Sequence, residues 1–354
     1  MATTIKKQSV GLDLAKEKFD ACFSVVDDKG RITVKSTRSF PNTKSGFADL
    51  DKWVAKWQRP GAETFFVMEA TGVYYENLAW HLHQQQRQVS VVLANLAKKY
   101  LQSLGHKSKN DKTDAKGLAH MGAERILAPW RPLSRQLYLL RKLTRERQQI
   151  SKARTSVKNM LHVEGHTMRK GQSTAGRLEK TLALFDRQLL EIDRELEAAV
   201  AQDEALKAKI DKITSIKGLG LLTAVTIVAE TNGFELFRNQ RQLVSFAGYD
   251  VVENQSGKRA GKTRISKKGN SHIRRSLFMP AFNTVRYGLP VFKQLYERLI
   301  AKGRTKMQAY VALQKKLLVL VYTLWRKDEK YAEKKTNIQS QEAGASLLGC
   351  CVAA

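Results

Sequence analysis

Four carboxylates stand where chain elements begin or end, and their spacing could build a metal site. Asp13 lies within the apolar stretch 10–15, and Glu69 follows the apolar run 64–68. Asp111 and Asp114 are three residues apart at the start of a helical pattern, so they share one face of its first turn. Carboxylate oxygens are the ligands that Mg²⁺ prefers, and two such ions can stabilise the attacking and leaving oxygens of a phosphodiester. Convergence of these four acids would therefore predict phosphodiester chemistry.

Each acid also has an ordinary structural explanation. A charged residue within a buried strand costs desolvation energy unless it is paired or binds a metal, so Asp13 is either a site residue or an exposed position on an edge strand. Asp111 and Asp114 could simply compensate the free amides of a helix N-terminus. For that pair the two explanations stay equally open on the residues alone.

The elements that must position these acids indicate an α/β fold for the first part of the chain. Residues 10–36 predict three strands with a turn at 27–30, and residues 43–58 predict a helix. A strand over 64–68, a helix over 73–86 and a strand over 89–93 follow. Three antiparallel strands followed by alternating strand and helix is the order of a ribonuclease H-like fold, in which the four acids would converge on one sheet edge.

The composition points to a polyanionic partner. Lys and Arg number 62 against 33 Asp and Glu, which gives the 354-residue chain a formal charge of +29 that is spread along its whole length. Nucleic acid is the commonest partner of so basic a protein. The N-terminus lacks the apolar core of a signal peptide, and the late apolar run 317–324 is too short to span a membrane. We expect a cytoplasmic, nucleoid-associated protein with no membrane partner.

The cysteines favour a reducing compartment. Cys22 lies within a predicted strand and is expected to be a core thiol, while Cys350 and Cys351 lie in a weakly patterned tail. This spacing predicts neither a disulfide framework nor a zinc site.

The middle of the chain predicts two long amphipathic helices. The first continues from Leu133 toward Met160, and residues 165–176 form a polar linker. The second has apolar residues at alternating steps of four and three, a short heptad seam. The seam residues are Leu178, Leu182, Phe185, Leu189, Ile192 and Leu196. Such a seam can close an intramolecular helical hairpin or form a dimerisation arm.

Two basic, glycine-containing segments are candidates for nucleic-acid contact. Residues 215–224 resemble the hairpin of a helix-hairpin-helix element, in which glycines let the backbone approach phosphates; a plain tight turn is the alternative. Residues 253–270 form a cationic loop that suits a phosphate backbone, although a solvated loop has the same composition. The candidate contacts are Lys217, Gly218, Gly220, Lys258, Arg259, Lys262, Arg264, Lys267, Lys268, Arg274 and Arg275.

Several motifs together resemble one protein family. They are Gly11-Leu12-Asp13-Leu14-Ala15-Lys16, Glu69-Ala70-Thr71-Gly72, Asn110-Asp111-Lys112-Thr113-Asp114-Ala115, Phe246-Ala247-Gly248, Ser256-Gly257, Arg264-Ile265-Ser266-Lys267-Lys268-Gly269 and Leu277-Phe278-Met279-Pro280. In this order they are similar to the IS110 family of insertion-sequence transposases, which also includes the Piv-type DNA invertases. The resemblance implies a RuvC-like DEDD domain that binds Mg²⁺ through the four acids, with two ions per site.

The resemblance also implies a nucleophile and partners. In relatives a serine beyond the Phe-Ala-Gly motif attacks DNA, and Ser256 holds that position here. The spacing to the 264–269 block is one residue shorter than in some relatives, which leaves Ser266 and Thr263 as rivals. The expected activity is strand exchange between donor and target DNA through a covalent serine-DNA ester. A bridge-type noncoding RNA would guide it, and the protein would act as a dimer or tetramer.

The expected domain division has four parts. Residues 1–128 form the RuvC-like domain, 129–208 a helical coiled-coil linker, 209–332 a mainly α C-terminal transposase domain with the helix-hairpin-helix-like element, and 333–354 a disordered tail. The main rival function is a metal-dependent, junction-resolving nuclease that needs the acids but no serine. A non-catalytic nucleic-acid-binding protein is favoured only if the acids fail to converge.

Overall fold

The chain folds into two compact units that meet in sequence at Pro132. The computed structural model describes residues 4–105, 110–169, 171–253, 255–256, 259–261 and 263–332, with the backbone alone at 255–256 and 259–260. The predicted tail 333–354 and the candidate residues Lys258 and Lys262 lie outside the described residues. No described helix is both long and apolar enough to cross a membrane.

The N-terminal unit is built on a five-stranded mixed sheet. Its strands are β1 (Ile5–Leu14), β2 (Lys18–Asp27), β3 (Ile32–Pro41), β4 (Glu63–Glu69) and β5 (Gln88–Val92). The spatial order is β3-β2-β1-β4-β5, with β1, β2 and β3 antiparallel and β4 and β5 parallel to β1. This is the ribonuclease H-like arrangement that the strand order predicts, and Cys22 is buried in it as expected.

Helices cover both faces of this sheet. They are α1 (Lys44–Trp57), α2 (Glu76–Gln84), α3 (Ala94–Ser103) and α4 (Asp111–Glu124). Apolar residues of α1 and α2 pack with Val10 and Leu12 on one face, whereas residues of α3 and α4 pack with Val67 on the other. Successive strand residues point to opposite faces, so the odd-numbered positions of β1 face α4. Ile126 lies beyond the end of α4 and is fully exposed, although its spacing fits the helical pattern.

A glycine allows α4 to lie directly on β1. A Cβ at Gly11 would stand 2.1 Å from both the carbonyl oxygen of Ala115 and the amide nitrogen of Ala119. A Cβ at Gly122 would likewise stand 2.3 Å from the hydroxyl of Ser9. These two contacts show that α4 runs opposite to β1, so its first turn lies beyond Gly11, toward Asp13.

The C-terminal unit is mainly α-helical. Its helices are α5 (Arg135–Gly165), α6 (Gln172–Ala201), α7 (Glu204–Thr214), α8 (Leu221–Glu230), α9 (Gln240–Phe246), α10 (Ser271–Ser276), α11 (Phe278–Arg286), α12 (Pro290–Ala301) and α13 (Lys306–Lys327). The apolar helix α8 is almost wholly buried from Ala224 to Glu230, and the other elements pack around it. Four two-residue strands interrupt the helices between α9 and α10: β6 (Val251–Val252), β7 (Gln255–Ser256), β8 (Arg259–Ala260) and β9 (Arg264–Ile265).

The two long helices α5 and α6 pack against each other within one chain. Two bidentate ion pairs link them, Arg147 to Asp193 and Arg154 to Asp186. Of the predicted seam residues, Ile192 and Leu196 are buried, while those nearer the start of α6 are only half-buried. The intramolecular hairpin is therefore present in the single chain, and a coiled-coil or dimerisation role stays a proposal.

The close contact of α4 with β1 predicts a large effect of one methyl group. In Gly11→Ala the new Cβ would meet backbone atoms that cannot move aside, so we expect the free energy of unfolding to fall by about 1–3 kcal/mol or more. Urea unfolding followed by circular dichroism measures it. Gly176→Ala is the matched control: this helical glycine has open space around it, and we expect an unchanged or slightly raised stability. Equal stability of the two variants would contradict the described packing.

Candidate active site

Asp13 and Glu69 lie side by side at one edge of the sheet. The parallel register of β1 and β4 pairs Gly11 with Val67 and Leu12 with Met68, so the next residues of the two strands are neighbours. Both side chains point to the face that α4 covers, because Gly11 and Val67, two residues earlier, face that helix. Glu69 is half-buried and accepts a hydrogen bond of 2.9 Å from the hydroxyl of Thr71.

Asp111 and Asp114 lie in the first turn of α4, at the same edge. The residue that caps this helix is Asn110, whose side-chain oxygen accepts a hydrogen bond of 2.8 Å from the amide of Thr113. Asn110 therefore supplies the side-chain cap of this helix, and Asp111 and Asp114 are available for another role. The partial positive charge of the helix N-terminus still favours both carboxylates there.

The electrostatic environment of Asp13 shows that the acids converge. The pKa of Asp13 is raised to about 6, and burial is the largest cause. The other causes all raise this pKa and are the negative charges of Asp114, Asp111, Glu69 and Asp20. Like charges affect a pKa in this way only at short range. The structure therefore brings all four predicted carboxylates to one place.

Asp20 is a fifth acid that the sequence reasoning missed. It is the direct cross-strand partner of Asp13, is 3% exposed and accepts a hydrogen bond from the hydroxyl of Ser39. The Lys18 ammonium lies 4.0 Å from Asp20 and 3.9 Å from Asp111, and it offsets part of the negative charge. Alternation along β2 places Asp20 and Cys22 on one face, but only the register with β1 reveals that this face meets Asp13.

The donor set fits a hard divalent cation. It consists of carboxylate oxygens. The negative charges of the neighbouring acids repel the half-buried Asp13 carboxylate, and a bound cation would offset that repulsion. Within the described residues, no group of three or more His, Cys, Asp or Glu side chains is already arranged for a metal ion. The Asp111 side chain is 61% exposed and has room to turn toward a bound ion.

Ser256 lies in a short hairpin of the C-terminal unit. Strands β7 and β8 pair antiparallel, with Ser256 opposite Arg259. This hairpin is nested between β6 and β9, which also pair antiparallel. The cationic segment thus contains two short ladders where composition suggested a loop. Of the two rival nucleophiles, Thr263 is exposed, whereas the Ser266 hydroxyl is buried and has no hydrogen-bond partner among the described residues.

The base of this segment is anchored to the helical core. The Asn270 amide donates a hydrogen bond of 2.7 Å to the Phe246 carbonyl, and the Asn270 side chain donates one of 2.6 Å to Glu230. The Glu230 side chain is 2% exposed and also accepts a bidentate interaction from Arg145. Burial alone would raise the pKa of Glu230, but Arg145 and Asn270 outweigh it and lower that pKa. The buried Glu230 carboxylate therefore joins α5, α8 and the start of α10 through the partly exposed Arg145 and through Asn270.

The predicted nucleic-acid contacts lie in several environments. Arg264, Lys267, Lys268 and Arg275 are exposed, as is Lys217 in the α7–α8 turn. Arg274 is half-buried and donates a hydrogen bond of 2.8 Å to the Ala247 carbonyl, so it also holds the Phe-Ala-Gly segment.

The conformation and packing of the α7–α8 turn require a glycine at position 218. Its φ is +92°, and a Cβ there would lie 2.7 Å from the Cβ of Asn283. Gly220 precedes the first residue of α8 and is exposed. The turn is therefore a tight connection between packed helices, and any binding role would be additional.

The raised pKa of Asp13 predicts a pH-dependent stability of the metal-free protein. The folded state holds this proton more tightly than the unfolded chain, so the contribution is fully present below about pH 4 and is lost as the pH rises through about 6. Asp13→Asn cannot titrate. The unfolding free energy of the wild type should therefore fall relative to that of Asp13→Asn between these pH values, measured by urea unfolding in EDTA. A constant difference would contradict the raised pKa of Asp13 in the folded protein.

Sequence profiles of known families match both units. A DEDD transposase profile of the IS110 type matches residues 10–163, a range that includes all four predicted acids. A second profile, described as the transposase IS116/IS110/IS902 family, matches residues 210–297, which include Ser256 and the cationic segment.

Individual proteins are also similar. The pilin gene-inverting protein of Moraxella bovis is 27% identical over 93% of this chain and 99% of its own length. The transposase for insertion sequence element IS1111A of Coxiella burnetii is 23% identical over 91% of this chain and 90% of its own length. Among solved structures, Thermus thermophilus RuvC aligns with 13% identity and a TM-score of 0.27 over 35% of this chain and 99% of RuvC. Because both profiles occur in order on one chain and these relatives align over nine-tenths of it, the chain belongs to the IS110 family of transposases and is a DNA recombinase.

Proposed function

We propose that this transposase exchanges DNA strands through a covalent serine-DNA intermediate at a Mg²⁺-dependent site. The observation that supports the proposal is the placement of Glu69 on the strand beside Asp13 and of Asp111 and Asp114 in the first turn of the helix packed on that strand. A cluster of like charges destabilises a folded protein, so its presence indicates a function. Carboxylate oxygens are the ligands that hard divalent cations prefer, which makes cation binding the function that fits. The match of the second family profile to the segment around Ser256 supports the serine step.

Ser256 acts as the nucleophile in the proposed reaction. The Ser256 oxygen forms a bond to the scissile phosphorus, the bond to the 3′ oxygen breaks, that oxygen takes up a proton, and the serine proton passes to solvent. The free 3′ hydroxyl of a partner strand then attacks the phosphoserine, and the serine oxygen recovers a proton. One ester replaces another in each step. The exchange therefore needs no nucleoside triphosphate.

The acids would act by holding two Mg²⁺ ions. Asp13, Glu69, Asp111 and Asp114 supply the ligands, and the bound ions would supply positive charge where negative charge develops on the phosphate oxygens. Asn110 orders the first turn of α4 and so positions Asp111 and Asp114. In the metal-free protein the Lys18 ammonium offsets part of the negative charge of Asp111.

The basic residues would bind donor DNA, target DNA and a guiding, bridge-type RNA. The formal charge of +29 supports contact with more than one polyanion. Lys217, Arg264, Lys267, Lys268 and Arg275 are exposed and suit phosphate contacts. We propose that the protein works as a dimer or tetramer, since strand exchange joins two DNA molecules.

A hydrolytic, junction-resolving nuclease is the second candidate. The acidic cluster lies wholly within the N-terminal unit, so it could activate water without the serine. The two candidates differ in whether Ser256 is required.

Replacing the serine tests the covalent step. In Ser256→Ala we expect the protein-linked DNA product to disappear and strand exchange to fall on the order of a thousandfold or more, because the variant lacks the hydroxyl that forms the ester. The measurement is a denaturing gel after incubation with Mg²⁺, the element's flanking noncoding RNA and labelled donor and target DNA.

Control variants accompany this experiment. Ser245→Ala changes an exposed serine of α9 and should leave the product unchanged. Thr263→Ala and Ser266→Ala test the rival nucleophiles in the same way. Equal DNA cleavage by wild type and Ser256→Ala without any covalent band would sink the serine mechanism and favour the hydrolytic nuclease.

Stabilisation by the metal tests the acidic site without relying on activity. A ligand that binds only the folded state at about a hundred times its Kd raises the unfolding free energy by about 2.7 kcal/mol. We expect Mg²⁺ to raise the melting temperature of the wild type, measured by calorimetry. The same addition should have little effect on Asp13→Asn and its full effect on the control Asp49→Asn, which changes an exposed acid of α1. An equal shift in all three proteins would show that Mg²⁺ binds elsewhere.

A further inference from the structure

A polar cleft runs along α5 in the C-terminal unit, and its lining includes no residue of the acidic site or of the described Ser256 hairpin. Its volume is about 780 Å³. One wall is α5 from Thr144 to Asn159, and the other is formed by residues of α8, α10 and α11. The 15 residue steps of α5 between these two positions correspond to about 22 Å at 1.5 Å per residue. The cleft is therefore an elongated channel, longer than a single phosphate or nucleotide requires.

The α5 wall presents polar side chains where a packed helix would be apolar. Gln148, the adjacent pair Ser151 and Lys152, Thr155 and Asn159 are spaced by three or four residues, so they lie on one face of the helix. Lys152, Thr155 and Asn159 are exposed. A helix face that only packed against α10 would bury apolar side chains instead. This face is suited to a ligand rich in hydrogen-bonding groups.

The opposite wall contributes an oriented guanidinium. With the Gln148 amide oxygen facing Arg275, it accepts hydrogen bonds of 2.9 Å from Nη1 and 3.1 Å from Nε. In this orientation the Gln148 amide nitrogen donates to Nδ1 of His272. The Arg275 side chain is thereby held at the cleft while its other nitrogen, Nη2, can still donate to a ligand.

The charge balance of the cleft is positive. Nearby Asp193 is engaged by Arg147 at 2.5 and 2.9 Å, and Glu230 by Arg145 at 2.6 and 2.9 Å. Within the described part of the chain, no carboxylate lines the cleft. Arg147 also lines the cleft, but Asp193 compensates its charge, so Lys152 and Arg275 carry the net positive charge that a ligand would meet. The lining also includes the apolar residues Leu222 and Met279, which suit contact with sugars or bases.

We infer that this cleft binds the sugar-phosphate backbone of a nucleic-acid strand, with Lys152 and Arg275 on the phosphates and the α5 hydroxyls and amides on phosphate and sugar oxygens. The inference rests on the proposed function, since it assumes that the enzyme holds a nucleic acid while it reacts. A phosphodiester strand matches every feature of the cleft: it is long, polyanionic, rich in acceptors and partly apolar.

Removal of single charges tests the cleft by binding alone. The probes are fluorescein-labelled single-stranded RNA, single-stranded DNA and duplex DNA of one mixed sequence, titrated with the full chain at several salt concentrations. In Lys152→Gln and in Arg275→Gln we expect the Kd to rise about five- to tenfold at about 0.1 M salt. The slope of log K against log salt should also fall by about one in each variant. Lys142→Gln is the matched control, since Lys142 is exposed on the same helix and does not line the cleft.

Each outcome of this experiment decides something. A loss confined to RNA, confined to DNA or shared by both supports the inference and identifies the strand that the cleft holds. Losses no larger than that of Lys142→Gln on all three probes would overturn it. Circular dichroism of the exposed-site variants checks that each is folded.

A crosslinking measurement covers the case of redundant contacts. A photoreactive group attached at Asn159→Cys should crosslink to the bound probe, and one attached at Lys142→Cys should not; equal crosslinking would count against the cleft. Binding is measured without any reaction, and the Ser256→Ala protein can be used throughout. Failure of the serine mechanism and failure of the cleft are therefore separate results.

Discussion

The arrangement of the N-terminal unit depends on the close packing of α4 on the backbone of β1. That packing exists because Gly11 has no side chain: a single Cβ would overlap the main chain at Ala115 and Ala119. The same contact determines where the first turn of α4 ends up, which is beside Asp13. A glycine that does no chemistry thus brings a strand acid and two helix acids together. Asp13 and Asp111 are 98 positions apart in the chain.

The acidic cluster is costly to the metal-free fold. Asp13 is partly desolvated among four other negative charges, and its pKa of about 6 expresses that cost. The protein reduces the cost locally through Lys18, through the N-terminal end of α4 and through the hydroxyls of Ser39 and Thr71. Functional sites commonly depart from the rules that stabilise the rest of a protein, and a cluster of this kind is such a departure.

A different interaction links three helices of the C-terminal unit: the buried Glu230 carboxylate pairs with the partly exposed Arg145 and with Asn270. This carboxylate lies at the end of the apolar helix α8 and is hydrogen-bonded on both oxygens. Its partners belong to the long helix α5 and to the start of α10, where the chain leaves the Ser256 segment. Loss of Arg145 would leave the buried Glu230 charge uncompensated, which is costly, so the interaction resists separation of these elements. The polar cleft lies along the same helices, so its walls are held by this interaction.

The sequence by itself determined the elements and most of the acids, because alternation, helical spacing and turn residues are local properties. The strands around Asp13 and Glu69, the helix that starts at Asp111 and the long helices could all be predicted in this way. Only the tertiary structure decided that Asp20 joins the acidic cluster and that Gln148 and Arg275 face one cleft. It also showed that the side chain of Asn283 leaves no room for a Cβ at Gly218. Each of these facts is a contact between residues far apart in the chain. Such contacts follow from strand register and helix placement, which a local pattern does not contain.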